Sequence, residues 1–255
     1  MIAFSIGDST VNWFDVIQHA KLHGNLEFAK DARRALLIAD ECCRRNIQET
    51  QEELQQSANK IRQRRGLFSA QDTQQWLAEN HLNIEDLEQL AREDCRRSKL
   101  IKDLTDGELE RVFLEQPSLL TFYELSVIAV EDEGIARELL SIIESGEETF
   151  ADIARKYSVD RNSRERDGRL LPICGADLPP HLAEAIATRG EAVVLGPFLH
   201  QSWEIYRVEG VHRPARDERS IQAARRVLFG RWLSAREAQS PFPWEMTRDT
   251  GAETA

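Results

Sequence analysis

The sequence has few cysteines, and they are not spaced for a metal cage. No Cys-x-x-Cys pair occurs among them, so a zinc site of the usual kind is not predicted. We expect reduced thiols in a cytoplasmic protein rather than a disulfide framework. The four cysteines of the 255 residues are Cys42, Cys43, Cys95 and Cys174.

Long apolar runs are also lacking. The first residues, "MIAFSIGDSTVNWFDVIQ", have no cationic start, and a polar Gly-Asp-Ser-Thr turn interrupts them. No stretch approaches the ~18 uninterrupted apolar residues of a membrane helix. The pattern therefore predicts neither an export signal nor a membrane span, with a trimmed mature chain as the alternative.

Positive charge is scarce as well, and common catalytic motifs are missing. Lysine and arginine number 33 against 44 acidic residues, for a net charge of −11. This balance argues against nucleic acid as the main partner. There is no Gly-x-Ser-x-Gly, phosphate loop or Gly-x-Gly-x-x-Gly. His19 and His23 have i,i+4 spacing that can chelate a metal, but no third ligand is evident, so no metal or cofactor is predicted.

What is present begins with a helical half. After a short strand or hairpin at 2–6, residues 13–115 are predicted to be almost wholly helical. Ser69 with Asp72 and Asn83 with Asp86 are typical N-cap pairs. The basic run at 62–65 precedes Gly66, which favours a helix C-terminus over a phosphate site.

The pattern changes after Pro117. "FYELSVIAV" (122–130) is β-branched and apolar and predicts a strand. Three helices follow, at 133–145, around Phe150 to Tyr157 and around Leu182, and then "VVLGPF" and "WEIYRVEGV" predict two closing strands. A last amphipathic helix at 220–239 has no apolar partner after it, so we expect its apolar face to pack on the N-terminal helices.

This order of elements resembles the parvulin-type peptidyl-prolyl isomerases. "GEETFADIARKYS" (146–158) fits their pattern G-x-x-x-F-x-x-I-A-x-x-Y-S. Asp160 holds the place of the family's aspartate or cysteine, and "DGRLL" (167–171) stands for its Gly-Gly-x-Leu-Gly turn. Gly196-Pro197 before the last strand also fits, so the resemblance covers roughly residues 120–210.

The flanks resemble foldases of the SurA and PrsA kind, in which a helical chaperone region surrounds a parvulin domain. The resemblance implies an α+β protein in which a domain of antiparallel sheet and helices is inserted into a helical one. The predicted helical chaperone-like domain is 1–118 completed by 216–245, the parvulin-like domain is 119–215, and 246–255 is a loose tail.

The resemblance also implies a site, in which two facing histidines and an aspartate or cysteine lie beside an apolar proline pocket. Ser126 and Glu204 are assigned to the two histidine positions, so only Asp160 remains of the polar set. Three leucines either line the pocket or fill the core: Leu170, Leu178 and Leu182. Asp167 and Leu171 replace glycines of the turn, and we expect a changed loop path if those glycines have positive φ.

The loop before this turn is basic. From 155 to 169 it has six cations and three anions. Arg161, Arg164 and Arg166 either steer an acidic peptide or belong to an ordinary solvated loop.

Three functional hypotheses follow. The first is a peptide-binding chaperone, with an inactive or weak isomerase domain, that assists maturation or export of a small peptide. The second is an active isomerase that uses Asp160 and the leucine pocket, and the third is a non-catalytic interaction scaffold. The expected partner is an unfolded or extended peptide, proline-containing or acidic.

Overall fold

The computed structural model describes residues 2–190 and 193–240. These residues divide into two compact units, one formed by 2–104 together with 229–240, the other by 105–190 and 193–228. The second unit thus includes the stretches 105–118 and 216–228, which the sequence assigned to the helical domain; the predicted domain limits stay predictions. The predicted tail, 246–255, lies outside the described residues.

The first unit is a hairpin followed by helices. Its predicted caps are confirmed, because Ser69 Oγ and Asn83 Oδ1 accept the backbone N–H of Asp72 and Asp86 at 3.0 and 2.9 Å. The basic run ends a helix before Gly66, whose φ is 72°. The elements are β1 (Ile2–Ile6), β2 (Ser9–Asn12), α1 (Trp13–Leu22), α2 (Glu27–Arg44), α3 (Gln51–Arg64), α4 (Ala70–Glu79) and α5 (Ile84–Thr105).

The second unit contains a four-stranded antiparallel sheet, and the strand predicted at 122–130 has those bounds. The strand order is β4-β3-β6-β5. The elements are α6 (Leu109–Glu115), α7 (Pro117–Leu120), β3 (Phe122–Val130), α8 (Glu133–Ser145), α9 (Phe150–Tyr157), α10 (Arg161–Arg164), β4 (Ile173–Cys174), α11 (Pro180–Arg189), β5 (Val194–Leu199), β6 (Trp203–His212) and α12 (Glu218–Gln239). The α+β class and the order of elements expected from the sequence are therefore confirmed.

The helix α12 contributes to both units, which divide at 228/229. In the first unit, Phe229 is buried with Cys42 and Leu100. In the second unit, Ala224 is buried with Leu120 instead. Val112 of α6, a helix within the predicted helical region 13–115, is buried in the same cluster as Ala224, so both parts of α12 pack on helices of that region, as expected. Within the described residues, no helix is long and apolar enough to span a bilayer.

The two faces of the sheet have separate cores, because side chains alternate along each strand. On one face, Ile128 and Ile205 are buried against Phe150 of α9 and against α8. On the other, Val127 and Tyr206 are buried against α11. We call these the Phe150 face and the Tyr206 face.

Candidate functional site

The Tyr206 face carries a cluster of aromatic and polar side chains from β5, β6 and α11. The Tyr206 hydroxyl donates to Glu204 Oε2 at 2.7 Å. The Phe198 ring lies 6.4 Å from the Tyr206 ring and 4.9 Å from the His181 ring, centroid to centroid. Burial raises the pKa of Tyr206, and the Glu204 carboxylate raises it further, so the phenol stays protonated at neutral pH.

The imidazole of His181 has an unusual environment. Its Nε2 atom is buried and makes no hydrogen bond within the described part of the chain. A buried polar atom without a partner is costly, and a bound group that donates or accepts there would remove the cost. The contact between His181 and Phe198 joins α11 to β5, so no pattern local to either element predicts it.

Ser126 and Glu204 do not form a facing pair. Glu204 lies on the Tyr206 face, opposite Ala129 in the ladder, whereas Ser126 pairs with Arg207. Alternation along β3 therefore places Ser126 on the Phe150 face. Both neighbouring positions of β3, Leu125 and Val127, are buried on the side of Glu204, so Ser126 does not face Glu204 as the two histidine positions of the resemblance require.

Ser126 belongs to a polar network on the Phe150 face. It is fully buried, and its hydroxyl donates to Glu209 Oε1 at 2.6 Å. Arg207 donates to the same oxygen through Nε and Nη2 at 2.8 and 2.6 Å, and its guanidinium lies 4.9 Å from the Phe150 ring. Burial would raise the pKa of Glu209, but the bonds from Ser126 and Arg207 outweigh it and lower that pKa.

Asp160 is committed to a local structural role. It is the N-cap of α10, and Oδ2 accepts the backbone N–H of Ser163 at 2.9 Å. Hydrogen bonding from Ser163 lowers the pKa of Asp160, so the carboxylate is charged at neutral pH. The aspartate that matches the family pattern thus stabilises the loop by capping a helix.

The three candidate leucines have different environments. Leu182 is fully buried in the core of the Tyr206 face. Leu170 and Leu178 are half-buried beside it. Leu178 also lines a cleft of about 650 Å³ between α7, α11 and the end of β6, together with Tyr123 and Ile186. Leu170 and Leu178 are therefore available to a ligand, whereas Leu182 is not.

The loop that contains the basic residues lies along the edge of β3 opposite β6, beyond the two residues that pair with β4. Ala129 N–H donates to Ser158 Oγ at 3.1 Å, and Val127 N–H donates to Gly168 O at 2.8 Å. Leu170 N–H returns a bond to Leu125 O at 2.8 Å. These bonds hold the loop on the sheet next to the cluster, so it is not simply solvated.

The turn "DGRLL" keeps the left-handed backbone at its first position. Asp167 has φ 56°, a conformation that aspartate tolerates better than most residues. Gly168 has φ 87°, and a Cβ there would lie 3.1 Å from both Val127 O and Ala154 Cβ. Asp167 therefore takes the left-handed conformation itself, and the change of loop path expected at Asp167 and Leu171 stays a prediction.

The three candidate arginines differ in their pairing. Arg161 Nε donates to Glu165 Oε1 at 2.9 Å, which compensates its charge. Arg164 and Arg166 are exposed, and neither forms an ion pair within the part of the chain that the structure describes. With Arg169, which is also exposed and forms no ion pair among the described residues, these two arginines supply the uncompensated positive charge of the loop.

The remaining histidines do not extend the site. His200 lies in the exposed turn between β5 and β6, where its backbone N–H donates to Ser202 O. His19 and His23 have ring centroids 4.2 Å apart on α1. Among residues 2–190 and 193–240, no group of three or more candidate metal ligands occurs.

Comparison with known proteins supports the fold and the domain. Residues 130–210 match the rotamase family, described as the PPIC-type PPIASE domain. The matched segment includes Asp160, Leu170 and Glu204 but begins after Ser126. Together with the sheet and its helices, this match shows that the chain carries a parvulin-type prolyl isomerase domain.

Two curated relatives and one solved structure make the likeness more specific. The chain is 37% identical to the foldase protein PrsA of Halalkalibacterium halodurans over 83 residues, 32% of this chain and 25% of that protein. It is 31% identical over 117 residues to a probable parvulin-type peptidyl-prolyl cis-trans isomerase of Bordetella pertussis, 44% of this chain and 45% of that protein. The chain thus spans less than half the length of either relative.

The solved structure is the peptidylprolyl isomerase PrsA from Bacillus anthracis. It aligns with a TM-score of 0.52 at 16% identity, covering 85% of this chain and 99% of that chain. The likeness shows a shared fold, a helix-rich α+β architecture with a parvulin domain.

Proposed function

We propose that this protein is a peptide-binding foldase whose parvulin-type domain binds proline-containing or acidic peptides and isomerises prolyl bonds weakly or not at all. Its clients are unfolded or extended chains, among them a small peptide that needs help in maturation or export. We place it in the cytoplasm because Cys42, Cys43, Cys95 and Cys174 are free thiols.

One observation carries the proposal: the Tyr206 face combines an apolar wall with a polar set unlike the one expected for a parvulin. Rotation about a prolyl amide crosses a barrier of about 18–20 kcal/mol. A catalyst must bind the twisted amide more tightly than either planar form. Here Ser126 lies on the Phe150 face and Asp160 caps a helix, so neither residue helps to bind the twisted amide more tightly than the planar forms.

The wall itself suits a peptide. Phe198, Leu170 and Leu178 are half-buried, so each leaves apolar surface for a proline ring. The unpartnered Nε2 of His181 offers a hydrogen bond to a peptide group beside Phe198. The exposed Arg164 and Arg166 favour acidic residues near that proline.

The first unit supports a chaperone role. Large apolar side chains are exposed along its helices, among them Phe28 and Leu36 on α2 and Phe68 before α4. Scattered exposed apolar residues are normal, but several on one unit favour contact with unfolded chains.

The alternative is an active isomerase, and the pairing of Glu204 with Tyr206 favours it. For catalysis the phenol would turn its single O–H away from Glu204 and donate it to the amide in the twisted state. In this case Tyr206→Phe and Glu204→Gln would lower the rate, whereas Asp160→Ala would not.

The deciding experiment measures isomerisation of Ala-Pro and Glu-Pro peptides by the full chain. We expect rates within a few-fold of the uncatalysed rate, together with saturable binding of the same peptides. Turnover far above background that is lost in Tyr206→Phe would overturn the proposal in favour of the alternative. Failure to bind peptide and failure to suppress aggregation of an unfolded client would leave only an interaction scaffold.

A further inference from the structure

The N-terminal hairpin and the helix that follows it have almost no core of their own. β1 and β2 form a separate two-stranded sheet, and no residue of α1 is buried. A two-stranded sheet is marginally stable in water unless more strands or a packed helix support it. Within the described part of the chain, this segment, residues 2–24, therefore lacks a buried core of its own.

The apolar side chains of the segment face solvent. Ile6 is 73% exposed and Phe4 48% on β1, while Leu22 is 79% and Trp13 52% exposed on α1. Several exposed large apolar residues on a short segment without a buried core are typical of an interface.

The free strand edges carry little of the protection that natural edge strands have. Neither β1, "IAFSI", nor β2, "STVN", contains a charged residue or a proline. Charges, prolines and bulges are the usual devices that prevent an edge from pairing with another strand. One register irregularity lies between Ile2 and Phe4, which leaves Phe4 to Ile6 in regular pairing.

The charge of the segment identifies the partner. Residues 2–24 contain two aspartates and one lysine, Asp8, Asp15 and Lys21, so their net charge is −1 out of −11 for the chain. Two copies of an acidic protein repel each other least where the surface is almost neutral. A client that comes and goes would leave the segment uncovered for much of the time, whereas a second copy covers it permanently.

We propose that residues 2–24 are a self-association element, through which two copies pair the free edges of β1 in antiparallel orientation. An antiparallel pair of identical strands is self-complementary, as a two-fold dimer requires. The pairing extends the hairpin to four strands, and it buries Phe4 and Ile6 against the equivalent residues or against α1 of the other copy.

Analytical ultracentrifugation of the full chain tests the proposal. We expect a mass near twice 29.2 kDa for the native chain. The double variant Phe4→Lys/Ile6→Lys should sediment as a monomer. Its dimer should dissociate at a concentration at least tenfold higher than the concentration at which the native dimer dissociates. Phe68→Lys, which places the same charge on another exposed phenylalanine, should remain a dimer. A monomeric native chain, or a dimeric double variant, would overturn the proposal.

A second measurement locates the interface even if the double variant is poorly folded. Ser5→Cys is introduced into a Cys43→Ser background, because Cys43 is the exposed native thiol among the described cysteines. Oxidation should then link two copies through position 5. A dimer that does not form this link uses another surface, and the proposal fails.

Discussion

The two faces of the four-stranded sheet are built from the same kinds of apolar residue but treat their polar groups differently. On the Phe150 face, Ser126, Glu209 and Arg207 satisfy one another. On the Tyr206 face, Tyr206 and Glu204 pair, but His181 Nε2 has no partner among the described residues. A face whose polar groups are all satisfied stabilises the fold, whereas a face with an unpartnered group and half-buried aromatic rings can bind a ligand.

The largest expected difference comes from removing one phenylalanine on each face. Phe150 is fully buried, so Phe150→Ala should lower the free energy of unfolding by about 3–5 kcal/mol. Phe198 is half-buried, so Phe198→Ala should cost only about 1 kcal/mol but weaken binding of a proline peptide severalfold. Urea denaturation and fluorescence anisotropy measure the two quantities. Equal effects of both variants on stability and on binding would contradict the comparison.

Next in size is the loss of the serine in the Phe150-face network. Ser126→Ala leaves Glu209 with fewer donors and should cost about 1–3 kcal/mol, with no change in peptide affinity. Ser145→Ala, which removes an exposed hydroxyl, is the matched control. A loss of peptide affinity in Ser126→Ala would place this serine in the binding site after all.

Ser126→Ala should also change how the free energy of unfolding depends on pH. Because the folded pKa of Glu209 is lowered, its contribution is present above its unfolded pKa and is lost as the pH falls through the folded value. Ser126→Ala removes part of that lowering, so its unfolding free energy should fall less steeply with acid than that of the native chain. Unfolding measured at a series of pH values from neutral to acidic checks this, and identical slopes would contradict it.

The aspartate that matches the family pattern should affect only the loop. Asp160→Ala removes an N-cap and should cost about 0.5–2 kcal/mol, whereas Asp160→Asn, which keeps a capping oxygen, should cost much less. Peptide binding and any isomerisation should be unchanged in both. If both variants lose activity while their stability differs, Asp160 acts in catalysis rather than as a cap.

The smallest effect concerns the basic loop. Arg164→Gln/Arg166→Gln should lower affinity for an acidic peptide about twofold to fivefold at low salt, and the difference should vanish at high salt. The matched control is Arg155→Gln/Arg161→Gln, since both of those arginines are already paired with acidic residues. An equal loss in the control would show that total charge matters and not the two uncompensated arginines.

Much of the fold could be predicted because its determinants are local. The helix from Ala70 begins where Ser69 caps it, and the strand at 122–130 is a single β-branched run. The positions of the candidate site residues could not be predicted with the same success. The resemblance makes Ser126 and Glu204 a facing pair, but they lie on opposite faces of the sheet, because side chains alternate at every step of a strand and the register of β3 on β6 decides which residues meet.

Local sequence was enough to predict the helices, the strands, the parvulin-like order and the likeness of 146–158 to the family pattern, since caps, periodicity and composition act over a few residues. Which residues share a face depends on strand register and packing, and it became clear only from the folded chain. The contact of His181 with Phe198 and the pairing of Ser126 with Glu209 depend on chain segments that meet after folding, whereas the capping bond between Asp160 and Ser163 is local. The hydrogen bonds and the burial of these long-range pairs are not encoded in any local pattern. They give one face of the sheet a structural role and leave the other face able to bind a peptide.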